Sequence, residues 1–232
     1  MISPSSIFVV IPTYNERQVL GKTISELAEY GYSIVVVDDG SAIPERQFLP
    51  RDTSSNLWYL RHISNLGAGA AVETGTRFAL QQDARIIVHF DADGQHIPAL
   101  IEKLVEPIVN GTAEVVMGSR FMQASDRALV PWKKRLLLKG GVFVSWLFTG
   151  VWLTDTHIGF RALSRTTAER IQMTENGYAH CTEILELIRK SGASYIEVPT
   201  AVRYTAYSVS KGQSMLNSVN IVFDLVLRKL FR

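Results

Sequence analysis

A chain of 232 residues with 47% hydrophobic and 20% charged side chains is long enough for one sizeable core and too apolar for disorder. Its formal net charge of +2 gives no broad basic field, and it carries no nucleic-acid motif, so nucleic acid is not an expected partner. The single cysteine, Cys181, excludes an intrachain disulfide and a thiolate metal cage, and points to a reducing compartment.

The first residues, Met1-Ile2-Ser3-Pro4-Ser5-Ser6, lack a basic start followed by a long apolar stretch, so no signal peptide is expected. An apolar run over 7–11 predicts a strand, and a helix over 16–30 follows from Val19, Leu20, Ile24, Leu27 and Ala28, whose spacing makes one buried face. Gly31 ends that helix. Strands are then predicted over 33–38 and near 57–61, a helix over 68–82, a strand over 86–91, a helix over 97–109 and a strand over 114–118. Alternation of this kind predicts an α/β fold, Rossmann-like, with a mainly parallel sheet flanked by helices. Beyond residue 120 come a loop, a helical stretch, a turn over 155–161 and a short strand leading into a helix pair. Residues 1–213 read as one catalytic domain and 214–232 as a C-terminal amphipathic helix.

Polar chemistry collects where the predicted strands end. The run Ile86-Ile87-Val88-His89-Phe90 passes into Asp91-Ala92-Asp93-Gly94-Gln95-His96. If the chain stays extended there, Asp91, Asp93 and Gln95 point the same way and offer hard oxygen ligands suited to Mg²⁺ or Mn²⁺. Taken alone, Asp-x-Asp after a strand is more often a capped turn. Two other junctions carry the same character: Pro12-Thr13-Tyr14-Asn15-Glu16 after the first run, and Asp38-Asp39-Gly40-Ser41 after the second. In open α/β sheets such loops meet in one crevice outside the carboxyl ends of the strands. The Gly67-Ala68-Gly69 segment is not a dinucleotide fingerprint, because its third glycine is misplaced, the strand before it is weak and no acidic ribose partner follows.

In this order the motifs resemble those of family 2 glycosyltransferases, which have the GT-A fold. Asp91-Ala92-Asp93-Gly94-Gln95-His96, Gly118-Ser119-Arg120 and Asp155-Thr156-His157-Ile158-Gly159-Phe160-Arg161 narrow the resemblance to dolichol-phosphate mannose synthase and its bacterial polyprenyl-phosphate relatives. It runs from about Ile7 to Ser210-Lys211-Gly212. The resemblance implies that Pro12, Tyr14, Glu16, Asp38, Asp39, Gly67, Asp91 and Ala92 hold a nucleotide sugar, and that Asp91, Asp93 and Gln95 hold the metal. Asp93, Arg120, Asp155 and Arg161 become the catalytic candidates. Arg120, Arg161, Arg203 and Lys211 are candidates for an acceptor phosphate, since Arg meets phosphate through a planar fork and Lys as a point charge. For each of these cations taken alone, a surface salt bridge is the bland explanation.

The implied reaction moves a sugar, UDP-linked in our reading, onto a polyprenyl phosphate with inversion, for envelope polysaccharide or glycan assembly. A phosphate acceptor is already anionic at neutral pH and needs no base, so Asp155 would orient Arg161 or cap its turn. Were the acceptor a hydroxyl, Asp155 would be the base. A non-catalytic nucleotide-sugar scaffold is the alternative of another class, and the intact Asp91, Asp93 and Gln95 argue against it. His157 departs from the family pattern, as does Ala68, where relatives often carry Lys. His180 and Glu183, three residues apart, stay outside the firm site.

A lipid acceptor demands a membrane. Lys133, Lys134, Arg135 and Lys139 interleave with Trp132 and leucines, and an apolar stretch over 142–153 holds Trp146 and Trp152. That pattern suits a helix lying on an anionic surface, or equally a core helix with a charged start. The stretch is too short to span a bilayer, which takes about 20 residues. The expected location is therefore cytoplasmic, peripheral on the inner face of the cell membrane. The relatives' C-terminal membrane helices are missing here, so either the amphipathic segments suffice or a small membrane protein acts as partner and anchor.

Overall fold

The structure, a computed structural model, describes residues 2–50, 56–122, 146, 147, 149–155, 159–177 and 179–203. The amphipathic segment 214–232 and most of the basic, Trp-bearing stretch lie outside the described residues. Strands β1 (Ile7–Thr13), β2 (Ser33–Asp38), β3 (Leu57–Arg61), β4 (Ile86–His89), β5 (Val115–Ser119), β6 (Arg161–Ser164) and β7 (Tyr195–Pro199) form one seven-stranded sheet in the order β3-β2-β1-β4-β6-β5-β7. The ladders β1–β2, β2–β3, β1–β4 and β5–β7 are parallel; β6 runs antiparallel to β4 and β5. The mainly parallel sheet expected from the alternation is present; the short strand expected after the 155–161 turn is β6, leading into α4 and α5, and only β7 is added to the predicted set.

The strands are apolar on both faces because helices cover both. On one face Ile7, Val9 and Ile11 of β1 meet Leu20, Ile24 and Leu27 of α1 (Leu20–Ala28) and Ile101 and Leu104 of α3 (Ile101–Val109). On the other, Phe8 and Val10 meet Ala71, Val72 and Ala79 of α2 (Ala68–Gln81) and Ile184, Leu185 and Ile188 of α5 (His180–Ser191). Between β6 and α5 lies the short helix α4 (Arg165–Arg170), capped by the Ser164 side chain, which accepts from the Thr167 amide. Burying a Leu or Ile of this kind stabilises the fold by about 1.5–3 kcal/mol each, so these rows fix which way every strand faces.

Some boundaries differ from expectation. The helix predicted over 16–30 begins as turns, with the amides of Val19 and Leu20 donating to the Glu16 carbonyl. The one predicted over 97–109 opens with a 3₁₀ turn, Pro98–Leu100, whose first position suits Pro98 because an amide there would have no partner in the helix.

Candidate active site

The strand directions bring the chemistry to one edge. β1, β2 and β4 end there in parallel, β5 ends beside them, and β6, running the other way, begins there. Strand order reverses between β1 and β4, which is where open α/β sheets leave a ligand crevice. The Thr13-Tyr14-Asn15-Glu16 turn and the Asp91-to-His96 turn therefore flank one opening.

Past β4 the backbone does not continue extended as expected. It turns at Gly94, where φ is +73°, a conformation that glycine adopts without strain. Gln95 folds back on Asp93: its amide donates to Asp93 Oδ1 at 3.0 Å and its Nε2 to Oδ2 at 2.6 Å. The Asp91 side chain stays 45% exposed, and its Oδ2 receives a hydrogen bond from His96 Nε2 at 2.9 Å. His96 is buried, stacked on Phe160 at 4.8 Å and edge-on to Phe90 at 5.3 Å. A Cβ at residue 159 would lie 2.6 Å from both Asp91 oxygens, so only glycine lets the start of β6 approach this carboxylate. Burial pushes the Asp91 carboxyl up, but the His96 hydrogen bond and the charges of His96, Arg161 and His180 outweigh it and hold it below the usual range. Asp93 goes the other way, raised by burial and by the charge of Asp91.

Among the described residues no group of three or more His, Cys, Asp or Glu is placed to hold a metal. The donors at this turn are a carboxylate pair and an amide oxygen. That set fits Mg²⁺ or Mn²⁺, which take a few carboxylate oxygens and complete their shell from substrate phosphate and water.

The loop after β1 is held from below. Asn15 is left-handed, with φ 58°, a conformation Asn tolerates; its amide donates to Ser41 Oγ at 2.9 Å and its Oδ1 accepts from the Ala42 amide at 3.2 Å. Glu45, wholly buried, accepts from the Thr13 hydroxyl with one oxygen and from the Glu16 amide with the other. Tyr14 stands 46% exposed at the tip.

Several residues expected to hold the nucleotide are also engaged in shaping the loops. Asp38 is buried and accepts from the Ser41 amide at 2.8 Å, the Glu45 amide at 3.1 Å and the Tyr59 hydroxyl at 2.5 Å, with Arg61 Nε at 3.4 Å. Asp39 accepts from His62 Nδ1 at 2.7 Å and from the amides of Leu66 and Gly67 at 2.9 and 2.8 Å. Both carboxylates are spent on shaping the loops. Gly67, at φ +110°, serves close packing, since a Cβ there would lie 2.2 Å from the Asn176 carbonyl oxygen. The Ala92 side chain belongs to the core.

On the β5 side, Arg120 grips Asp155 in a two-pronged pair, Nε to Oδ2 at 2.6 Å and Nη2 to Oδ1 at 2.9 Å. Asp155 is 1% exposed, and Glu197 of β7 accepts from its amide at 3.1 Å and from the Thr154 amide at 2.7 Å. Asp155 thus partners Arg120 where Arg161 was expected. Arg161 itself does not reach outward as an acceptor ligand would. β6 inserts between β4 and β5, so Arg161 is 1% exposed and donates through Nε to His89 Nδ1 at 3.1 Å. Among the described residues its Nη2 has no hydrogen-bond partner. Arg203 does stand at this edge: its amide donates to the Gln95 carbonyl at 2.8 Å and its Nη1 to Glu26 Oε2 at 2.8 Å. Lys211 and His157 lie outside the described residues.

A family model described as glycosyl transferase family 2 matches residues 8–172. The chain belongs to glycosyl transferase family 2. This glycosyltransferase is 36% identical to an uncharacterized protein of Methanocaldococcus jannaschii over 99% of this chain and 95% of the other. It is 31% identical to a UDP-N-acetylglucosamine–dolichyl-phosphate N-acetylglucosaminyltransferase of Methanococcus voltae, over 97% and 96% of the two chains. A polyprenol monophosphomannose synthase of Mycolicibacterium smegmatis is 30% identical over 88% of this chain and 79% of its own. Among solved structures, glucosyl-3-phosphoglycerate synthase of Mycobacterium tuberculosis in complex with Mn²⁺, UDP and glucosyl-3-phosphoglycerate superposes with a TM-score of 0.61 at 17% identity, covering 95% of this chain and 77% of that one. The glycosyltransferase therefore has the GT-A fold, and it is an enzyme of a family whose relatives include polyprenyl-phosphate sugar transferases.

Proposed function

We propose that this glycosyltransferase moves a sugar from a UDP-linked donor to a polyprenyl phosphate, with inversion, at the cytoplasmic face of a membrane. A phosphate oxygen of the lipid attacks the anomeric carbon as the bond from that carbon to the diphosphate breaks, and the nucleoside diphosphate leaves with the electron pair. One in-line displacement inverts the centre, and a dianionic phosphate brings no proton to remove. The observation that carries the lipid-phosphate reading is the Arg120–Asp155 pair. A carboxylate 1% exposed and committed to a guanidinium is a poor base for a hydroxyl, whereas an acceptor already anionic asks none of it.

The relatives' names support the same acceptor and, in one case, a UDP donor. Asp91 and Asp93, with Gln95 beside them, are the residues that would hold a divalent cation, which when bound neutralises charge on the leaving diphosphate. Arg120 and Arg203 supply positive charge on the acceptor side, and Tyr14 faces the donor base. Arg161 acts from beneath, as a buried positive charge that favours ionised Asp91.

Among the described residues no helix is long and apolar enough to cross a membrane. Trp146, Leu147 and Trp152 are nonetheless exposed, the two indoles packed edge to face at 5.6 Å and three residues or more before Asp155, which supports a peripheral contact with lipid.

The test is purified protein with Mn²⁺ or Mg²⁺, undecaprenyl phosphate in detergent and a panel of UDP and GDP sugars, with mass analysis of the lipid phase beside Asp93→Ala. A glycosyl phospholipid that disappears with Asp93→Ala is the expected result. Donor hydrolysis sensitive to Asp93→Ala without lipid product would turn the assignment to a hydroxyl acceptor or to a required membrane partner. Full activity of the chain alone would remove the need for that partner.

A further inference from the structure

Beneath the donor loop lies a buried acid that no part of the proposed reaction uses. Glu45 is 0% exposed, lies at the start of a 3₁₀ turn (Glu45–Phe48) after β2, and is separated from its partners by 29 to 32 residues of sequence. Its two carboxylate oxygens divide their work: one accepts from the Thr13 hydroxyl, the other from the Glu16 amide. Those contacts fall at either end of the turn that displays Tyr14. Its own amide is fixed by Asp38 Oδ2 at 3.1 Å, and Asp38 is in turn held by Ser41, Tyr59 and Arg61.

We infer that Glu45 is the positioning residue of the donor's nucleoside end, clamping both ends of the Thr13-Tyr14-Asn15-Glu16 turn so that Tyr14 is preset to meet the base. The inference rests on the reading of this turn as the donor loop. A burial this complete is unfavourable for a carboxylate unless its oxygens are occupied, and here both are. A preset loop spares the bound nucleotide the ordering of left-handed Asn15 and its neighbours, which is how rigid sites gain affinity.

The clamp needs two acceptor oxygens and therefore an ionised Glu45. Burial, with the nearby charges of Asp38 and Glu16, raises its carboxyl above the usual range although Thr13 and the Glu16 amide pull it down. The titratable groups facing it are Asp38, Glu16 and Tyr59, and Arg61 lies beyond them against Asp38. As pH falls through that raised range, one oxygen becomes a hydroxyl and one end of the clamp is lost. Donor affinity is present above this range and declines below it. Glutamine behaves differently: its carbonyl accepts from the Glu16 amide, its NH₂ donates to Thr13 Oγ1, and it does not titrate.

The experiment is titration calorimetry with UDP and GDP on the full chain as wild type, Glu45→Gln, Glu45→Ala and Tyr14→Ala, at pH 7.5 and pH 5. At pH 7.5 Glu45→Ala should bind the preferred nucleotide about tenfold more weakly and Glu45→Gln within about twofold of wild type. At pH 5 wild type should fall below Glu45→Gln. Taking the ratio of those two removes the nucleotide's own titration. If Tyr14→Ala is weakened while Glu45→Ala binds like wild type, the inference fails and the donor loop stands. If Tyr14→Ala binds like wild type, or if neither nucleotide binds, the donor-loop reading fails and takes the inference with it. Equal weakening of Glu45→Gln and Glu45→Ala at pH 7.5 would reduce Glu45 to packing and overturn the clamp. Should Glu45→Ala not fold by circular dichroism, the pH 5 comparison of wild type with Glu45→Gln decides.

Discussion

Cys181 sits second in α5 with its sulfur 3.6 Å from Nε2 of His180, whose Nδ1 is engaged with the Gly177 carbonyl at 2.9 Å. Donation from Nδ1 to that carbonyl leaves Nε2 as the acceptor for the thiol proton, so the neighbour is arranged to receive it. Burial pushes the thiol up, yet the charge and hydrogen bond of His180, with Arg161 behind it, bring it down to about 7. Iodoacetamide labelling followed by mass spectrometry should therefore rise with a midpoint near pH 7 in the native protein. His180→Ala should move that midpoint back toward the ordinary thiol range of about 8.5. Because the chain has a single cysteine, the readout is unambiguous, and an unchanged midpoint in His180→Ala would remove the histidine's role. In the sequence Cys181 excludes a disulfide and a thiolate cage and says nothing of this pairing. Adjacent residues on a helix do not share a face, so nothing in His180-Cys181 announces that both side chains meet. Glu45 and Glu197 escaped for a related reason: each acts on a loop brought to it by the fold, as the 42 positions from Asp155 to Glu197 illustrate.

At the scale of an element, α2 lies close enough on β1 and β2 that one of its positions tolerates no side chain. A Cβ on Gly75 would meet Val10 Cγ1 at 2.4 Å and Val37 Cγ2 at 3.1 Å. In an exposed helix Gly→Ala stabilises by about 1 kcal/mol, but here overpacking of a core costs about 1–3 kcal/mol and decides the sign. Gly75→Ala should lower the urea midpoint with an unchanged slope, while Gly177→Ala, where a Cβ meets none of the described residues within 4 Å, should leave it alone. A midpoint raised in Gly75→Ala would show that helix and sheet separate more freely than their contact suggests. The elements themselves were legible where apolar residues run together, as in Ile34-Val35-Val36-Val37 and Ile86-Ile87-Val88, all buried. β7 was not, because Tyr195-Ile196-Glu197-Val198-Pro199 is a half-exposed edge strand without such a run. The place of Arg161 was hidden too. The short strand was expected, but not its antiparallel insertion between β4 and β5, and that insertion alone converts a candidate ligand into a buried charge.

For the whole molecule, the same close packing makes alkaline stability depend on phenols. Tyr32 is 8% exposed just before β2, stacked on Tyr30 at 5.8 Å, and burial together with the charge of Glu102 pushes its hydroxyl up to about 12. Tyr59 is raised to about 12 by burial and by its hydrogen bond to Asp38, so the sheet edge beside the loop after β2 titrates in the same window. In the unfolded chain a tyrosine ionises near 10. Between pH 10 and 12 the unfolded state therefore loses protons that the native state keeps, and the sign of the linkage is fixed: stability from these groups is complete below about pH 10 and is lost as pH rises toward 12. Tyr32 should account for on the order of 2 kcal/mol of that loss. Urea unfolding at pH 9 and pH 11.5 should show a steep fall for the native chain and a shallower one for Tyr32→Phe. Parallel falls in both would mean that Tyr32 ionises as an ordinary phenol and that its packing against Tyr30 and α3 admits water.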